Sequence, residues 1–157
     1  MTAIRLSLAC CVAALFVFAA PAARAQSDGV PLVSGAWTGK LSSVYWDQTT
    51  GGAAHPKQKF KSKLSAVIEQ EGGALAITLT LDQSLPVTTS NASSIFMLSG
   101  NVGNYHLNAG EDAGLNVPAM TLSGSSSKKG TKLTLKGVAA SDELTHEITI
   151  KLKKVGP

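Results

Sequence analysis

Hydrophobic and polar residues alternate along most of the chain after residue 35. Between residues 60 and 82, apolar side chains recur at every second position on both sides of the Gly72-Gly73 pair. Residues 145–155 repeat the pattern, with Ile148 and Ile150 on one face and Lys151 on the other. A period of two on both sides of a glycine turn predicts a β-hairpin with one buried face.

The same alternation predicts eight strands, and no stretch outside the first 25 residues has a convincing helical period. The predicted strands are 36–46, 58–70, 75–82, 94–100, 104–109, 119–125, 131–138 and 145–155. A flat sheet of eight strands would leave one apolar face in water and two edges open. We therefore predict an all-β protein that closes into an antiparallel up-and-down β-barrel, with a two-sheet β-sandwich as the alternative. The outward positions are mostly Lys, Thr, Ser and Glu, which argues against an outer-membrane barrel.

The first 25 residues have the pattern of a secretory signal peptide. Arg5 precedes an apolar run over residues 6–20, and Ala23-Arg24-Ala25 matches the small-x-small cleavage pattern. We predict a signal peptide (1–25) cleaved after Ala25, a linker (26–34) and a single barrel domain (35–157). The expected location is periplasmic or extracellular, with no transmembrane segment in the mature chain.

Cleavage also changes the charge and the cysteine content. The full chain carries 14 basic and 10 acidic residues, and the loss of Arg5 and Arg24 leaves twelve lysines against ten acids. A mature chain without arginine argues against a nucleic-acid partner. Cys10 and Cys11 both lie in the apolar run, so no disulfide is expected and burial must stabilise the fold.

The start of the first strand carries a resemblance to known families. Gly35-Ala36-Trp37 resembles the Gly-x-Trp signature of lipocalins and the wider calycin superfamily. The resemblance implies that Trp37 plugs the closed end of an eight-stranded barrel, under a basic residue from the last strand. The candidates for that residue are Lys151, Lys153 and Lys154, although the usual arginine of the family is absent.

The segment SGAWTGKLSS (34–43) is also similar to the first strand of avidin-type biotin binders. Gly39 stands where that family has a biotin-contacting asparagine, and Ser43 stands near its serine. The later strands lack the tryptophans of an avidin pocket. We therefore expect a similar architecture without a biotin site.

The inward positions define a first functional hypothesis, in which the barrel binds an apolar or amphipathic small ligand in its interior. The predicted lining consists of Trp37, Leu41, Tyr45, Leu64, Ile68, Ile77, Leu79, Leu107, Leu122, Leu135, His146, Ile148 and Ile150. Eight strands leave an interior only just wide enough for side chains to fill, so these residues are equally consistent with a packed core. His146, near the mouth, either contacts a ligand or is a rim histidine whose hydrogen bonds are satisfied within the protein.

The outward lysines define the alternative, in which a packed barrel acts through its surface as an inhibitor or an envelope-associated interaction protein. The basic patch consists of Lys40, Lys59, Lys61, Lys63, Lys151 and Lys153, extended by Lys132 and Lys136. It suits attachment to anionic lipid headgroups or polyanionic glycans, and equally a solvated face that protects sheet edges. Secreted bacterial metalloprotease inhibitors resemble such a barrel, but they typically carry a disulfide.

The connections between strands place the mouth at one end. The longer ones span 47–57, 82–93, 110–118 and 139–144, and alternate connections of an up-and-down barrel meet at the same end. This rim is expected to be acidic, with Asp47, Asp82, Glu111, Asp112, Asp142 and Glu143 beside His55.

No chemistry is predicted from the titratable residues. The three histidines are well separated, with His106 outward, and the acids are scattered over different loops, so neither a metal site nor a cofactor is expected. No nucleophile–base pair is visible in the sequence, and we predict that the protein is not an enzyme.

Overall fold

The computed structural model describes residues 30–48, 56–103, 105–111 and 119–156. The predicted signal peptide, its cleavage site and residues 26–29 lie outside the described residues. So do His55 and Asp112 of the predicted rim.

Eight strands form one closed barrel in which every strand pairs with its sequence neighbours and β1 pairs with β8. All the pairings are antiparallel, which confirms the predicted up-and-down barrel over the sandwich. The strands are β1 (Gly35–Asp47), β2 (Gln58–Glu71), β3 (Ala74–Pro86), β4 (Ala92–Gly103), β5 (His106–Glu111), β6 (Ala119–Ser126), β7 (Lys132–Ala140) and β8 (Leu144–Lys154).

The predicted alternation sets which side chains enter the barrel. In β2, every second residue from Ser62 to Ile68 is buried and the residues between them are exposed. The inward residues of all eight strands form one apolar cluster, whose largest members include Trp37, Phe96 and Met120. Burial of this cluster is the main stabilising contribution in a chain for which no disulfide is expected.

The N-terminal segment closes one end of the barrel. The indole Nε1 of Trp37 donates a hydrogen bond to the carbonyl of Val33 at 2.9 Å, and Val33 is completely buried. The Gln70 side chain accepts from the Val33 amide at 2.8 Å and donates to the Pro31 carbonyl. Residues 30–34, which the sequence assigned to a linker, therefore seal the barrel beneath Trp37. Of the three candidate lysines, Lys154 is the direct cross-strand neighbour of Trp37.

The structure corrects the predicted connections at the other end, the mouth. β3 is longer than predicted because it continues to Pro86. Its register against β4 shifts between Thr80 and Leu85. The polar run Asp82-Gln83-Ser84, predicted as a loop, is a bulge within this strand. The connection between β7 and β8 has only three residues (141–143), fewer than the five (127–131) between β6 and β7. The prediction that every mouth connection is long is therefore wrong.

Glycines at inward positions allow neighbouring strands to approach closely. A Cβ added at Gly124 would overlap the carbonyl oxygen of Thr134, and one at Gly137 would overlap that of Thr121. Glycine kinks of this kind allow a sheet to curl into a small barrel. A Cβ at Gly39 would likewise overlap the Lys151 carbonyl, so this position does not accommodate the asparagine side chain of avidin-type proteins.

Candidate functional site

The outer face of β7, β8, β1 and β2 carries a dense set of exposed lysines. We call this set the lysine wall: it consists of Lys132, Lys136, Lys151, Lys153, Lys40, Lys59, Lys61 and Lys63, all of them exposed. Closure of the barrel makes these four strands consecutive neighbours, because β8 pairs with β1. The structure thus brings together every lysine of the predicted basic patch.

The register places several of these lysines directly opposite one another. Lys40 faces Lys63 on β2 and Lys151 on β8, which makes a row of three ammonium groups across three strands. Two residues further along β8, Lys153 faces Lys132 on β7. Side chains opposite each other in an antiparallel pair have Cβ atoms about 5 Å apart, and like charges there reduce the stability of the sheet.

Few carboxylates lie near these lysines among the described residues: Glu147 lines a groove with Lys59, Lys61 and Lys136, and Asp82 lines one with Lys40, Lys61 and Lys63. Glu147 is the acidic residue on the outer face between the lysine rows, opposite Val44 and Val138. No ion pair joins a lysine of the wall to a carboxylate within the described ranges. The wall is therefore a concentrated positive field that attracts anions from solution.

Three open grooves cross the lysine wall. The first, of about 540 Å³, is lined by four wall lysines (Lys40, Lys132, Lys151 and Lys153) together with hydroxyls from Thr38, Ser42, Thr134 and Thr149. A second of about 370 Å³ adjoins it through Ser42 and Thr149 and contains Lys59, Lys61 and Lys136. A third of about 410 Å³ lies beside Lys61, Lys63 and Asp82. Lysine, serine and threonine residues thus line the grooves together, with Glu147 beside them in the second groove and Asp82 in the third.

The barrel interior, by contrast, is filled with side chains. Except for Tyr45, which is half-buried, the residues predicted to line a ligand site there are buried, with exposed fractions of 0–2%: Trp37, Leu41, Leu64, Ile68, Ile77, Leu79, Leu107, Leu122, Leu135, His146, Ile148 and Ile150. Leu85, Phe96 and Leu133 are among the further residues of the same cluster that were not in the predicted lining. Their inward orientation is as predicted, and they pack against one another.

A small polar cluster lies under the mouth. The Oγ atom of Ser43 lies 2.9 Å from Nδ1 of His146, and both side chains are buried. The half-buried ring of Tyr45 stacks on the imidazole at 4.9 Å between centroids, and its hydroxyl donates to Gln58. The alternation of inward and outward positions predicted that Tyr45 and His146 point inward. The hydrogen bond between His146 and Ser43, which are 103 residues apart, gave no signal in the sequence.

The histidine in this cluster is held in its neutral form. Burial lowers the pKa of His146 from 6.5 to about 4, while the backbone carbonyl of Pro86 acts in the opposite direction. Nε2 is buried without a hydrogen-bond partner of ordinary geometry among the described atoms. Since both hydroxyl and imidazole are shielded from solvent, this pair supports the fold of the mouth.

Two connections are joined over the mouth. One Glu143 carboxylate oxygen accepts hydrogen bonds from the Thr89 amide (2.7 Å) and hydroxyl (2.8 Å), and these bonds lower the pKa of Glu143. The Ser141 hydroxyl donates to the Val87 carbonyl at 2.7 Å. Residues 87–91 are thereby fixed across the barrel against the β7–β8 connection.

Three of the predicted rim acids lie close together at the mouth: Asp47 is near enough to Glu143 to act against the lowering of its pKa, and Asp142 is exposed beside Glu143. Asp82 lies apart from them in the β3 bulge, and His106, predicted to point outward, is exposed on β5. No cluster of three or more potential metal ligands exists in the part of the chain that the structure describes. Over the same residues, no helix has the length and apolarity needed to span a membrane.

In comparisons with known proteins, no family model matches the chain and no curated protein shows significant similarity to it. The eight-stranded antiparallel barrel is compatible with a lipocalin-like fold. The lysine wall and the mouth cluster must therefore be interpreted from their own geometry.

Proposed function

We propose that the protein is an exported, packed β-barrel that binds an anionic polysaccharide along the lysine wall. The predicted signal peptide would deliver it to the periplasm or the exterior, where such polymers occur at cell envelopes. We propose no catalytic step and no cofactor.

The observation that carries this proposal is the row formed by Lys63, Lys40 and Lys151. Three like charges at directly opposed cross-strand positions, without an ion-pair partner within the described residues, are expected to reduce the stability of the unbound protein. A bound polyanion would supply the missing negative charges. A solvated face needs no such arrangement, because lysines offset along the strands would give the same net charge with less repulsion.

The shape of the wall favours a polymer chain over a flat surface. Ser42 and Thr149 line its grooves together with the lysines, so their hydroxyls would bind sugar hydroxyls beside the acidic groups of the polymer. The absence of arginine from the mature sequence fits a partner recognised by point charges rather than by planar bidentate contacts.

The packed interior also supports a role for the surface rather than for an internal ligand. The inward side chains are almost completely buried, so a ligand of appreciable size would have to displace several of them. A surface site needs no such rearrangement.

Binding to a sulfated glycan such as heparin, used as a soluble polyanion, tests the proposal. We expect the triple variant Lys40→Gln, Lys63→Gln and Lys151→Gln to bind at least tenfold more weakly than the wild type at 50 mM salt. The matched control replaces Lys57, Lys128 and Lys129, which lie outside the wall, and should bind within twofold of the wild type.

Three results would count against the proposal: no binding by the wild type, equal losses in both triple variants, or binding only to vesicles containing anionic phospholipid. The last result would indicate that the lysine wall binds a lipid surface and not a polysaccharide.

A further inference from the structure

Among the residues that the structure describes, no strand pairs with the first half of β2 on the side away from β1, although the barrel is closed. β2 pairs with β1 along most of its length, starting where Gln58 faces Tyr45. Its pairing with β3 starts only at Leu64 and runs to Glu71. The last link is a hydrogen bond from the Gln83 amide to the Ser62 hydroxyl at 3.0 Å. Residues 58–63 are thus a sheet edge about 20 Å long.

This edge exists because the end of β3 turns away across the mouth. After the bulge at residues 81–84, Leu85 and Val87 are buried, and the Pro86 carbonyl faces His146 on β8. The Ser141 bond to Val87 holds the segment there. The contacts of the β3 end therefore keep it away from the β2 edge, and pairing with β1 keeps this edge in strand conformation.

Side chains along the edge define what an added strand would meet. Lys59, Lys61 and Lys63 point outward and are exposed, whereas Phe60 is half-buried against the core. An incoming strand would place alternate residues opposite the lysines and the others toward Phe60. Acidic residues on the first set and apolar residues on the second complement this edge.

Lysines along an edge also oppose its pairing with itself. Two copies of the chain joined edge to edge through residues 58–63 would bring lysines opposite lysines. The occupant that fits is a different protein segment with the opposite charge.

We propose that residues 58–63 form a strand-addition site for an extended segment of a protein partner in which acidic and apolar residues alternate. Main-chain hydrogen bonds supply affinity, and contacts with the lysines and Phe60 supply specificity. The site goes beyond the proposed glycan binding, since it depends on the backbone of β2 as well as on charge.

A ten-residue peptide of alternating glutamate and valine, blocked at both ends, is the probe. Two control peptides carry N-methyl groups on alternate backbone nitrogens, one on the valines and one on the glutamates. Because only alternate amides of an added strand face its neighbour, one methylated peptide should bind at least tenfold more weakly than the parent. The other should bind within threefold of the parent. Equal binding of all three peptides, or no binding of the parent at millimolar concentration, would overturn the proposal.

Lysine variants separate this site from the glycan site. Replacing Lys59, Lys61 and Lys63 with glutamine should weaken peptide binding at least tenfold. Replacing Lys132, Lys136 and Lys153 should change it less than twofold, although both triples should weaken glycan binding. The parent peptide should also slow amide hydrogen exchange within residues 58–63. Equal effects of the two triples on the peptide, or unchanged exchange at saturation, would contradict strand addition even where glycan binding persists.

Discussion

Ser43 on β1 and His146 on β8 form a buried hydrogen bond of 2.9 Å that joins the two strands whose pairing closes the barrel. Tyr45, which lies directly opposite His146 on β1, stacks on the imidazole, and the Pro86 carbonyl approaches the ring from β3. The neutral histidine is therefore a point where the closing strands and the mouth segment meet.

Stability should fall as the pH decreases from about 6.5 to 4. The unfolded chain binds a proton at His146 near pH 6.5, whereas burial lowers the pKa in the folded protein to about 4, so acid favours unfolding. The full shift corresponds to about 3 kcal/mol, which screening at the mouth reduces to roughly 2 kcal/mol. Urea unfolding of the wild type at pH 7 and pH 4 should show this loss.

The same experiment on two variants isolates the contribution of His146. In His146→Gln, the loss of unfolding free energy between pH 7 and pH 4 should be smaller by the contribution of this histidine. His106→Gln, which changes an exposed histidine, should show the same loss as the wild type. Should His146→Gln fail to fold, NMR titration of the wild-type imidazole gives the midpoint directly. A midpoint near 6.5 would contradict a buried neutral ring.

Glu143 should control the mobility of the mouth segment. Glu143→Ala removes both hydrogen bonds to Thr89, so the Thr89 amide should exchange with solvent at least tenfold faster, with little change in global stability. Asp142→Ala, which alters the exposed neighbouring acid, is the control. Unchanged exchange at Thr89 in Glu143→Ala would show that other contacts fix residues 87–91.

The inward glycines should not tolerate a methyl group. Gly124→Ala and Gly137→Ala each force a Cβ into a neighbouring backbone carbonyl, and we expect a loss of more than about 3 kcal/mol in urea unfolding, or no folded protein. Gly103→Ala has open space around the added methyl and should change stability by less than about 0.5 kcal/mol. Equal stabilities of Gly124→Ala and Gly103→Ala would contradict the close strand approach.

Removing one charge from the lysine row should stabilise the unbound protein. Lys40 faces two lysines, so Lys40→Thr should raise the free energy of unfolding by about 0.5 to 1 kcal/mol at low salt. The gain should shrink at 1 M salt, where the charges are screened. Lys57→Thr, which lies outside the row, should show no such gain. A destabilised Lys40→Thr with the same salt dependence as the wild type would contradict repulsion in the row.

Strand number, barrel closure and the inward residues could be predicted from the sequence because they depend on a local period of two. Closure in turn makes β8 and β1 neighbours, which placed Lys151 beside Lys40. Parity does not fix the register, however. A shift of two residues between β1 and β2 would keep every side chain on its face, yet it would place either Lys61 or Ser65 opposite Lys40 instead of Lys63. The lysine row therefore required the structure.

The mouth could not be predicted because its contacts join residues far apart in the chain. The polar run at 82–84 is typical of a loop, and only the packing of Leu85 and Val87 shows that β3 continues across the barrel. Val33 was assigned to a linker because the short apolar segment 30–33 shows no strand alternation before Gly35. Its burial depends on Trp37 and Gln70, which become its neighbours only on folding.

Titration of the isotopically labelled mature protein with a heparin-derived octasaccharide, followed by NMR, tests the central claim most directly. We predict that the largest amide shifts lie on β7, β8, β1 and β2, centred on Lys40 and Lys151, and that they diminish at 500 mM salt. The buried residues Leu79, Leu107 and Leu122 should show no shift. Shifts concentrated at Ser43, Tyr45 and His146, or no shifts at millimolar octasaccharide, would contradict a binding site on the lysine wall.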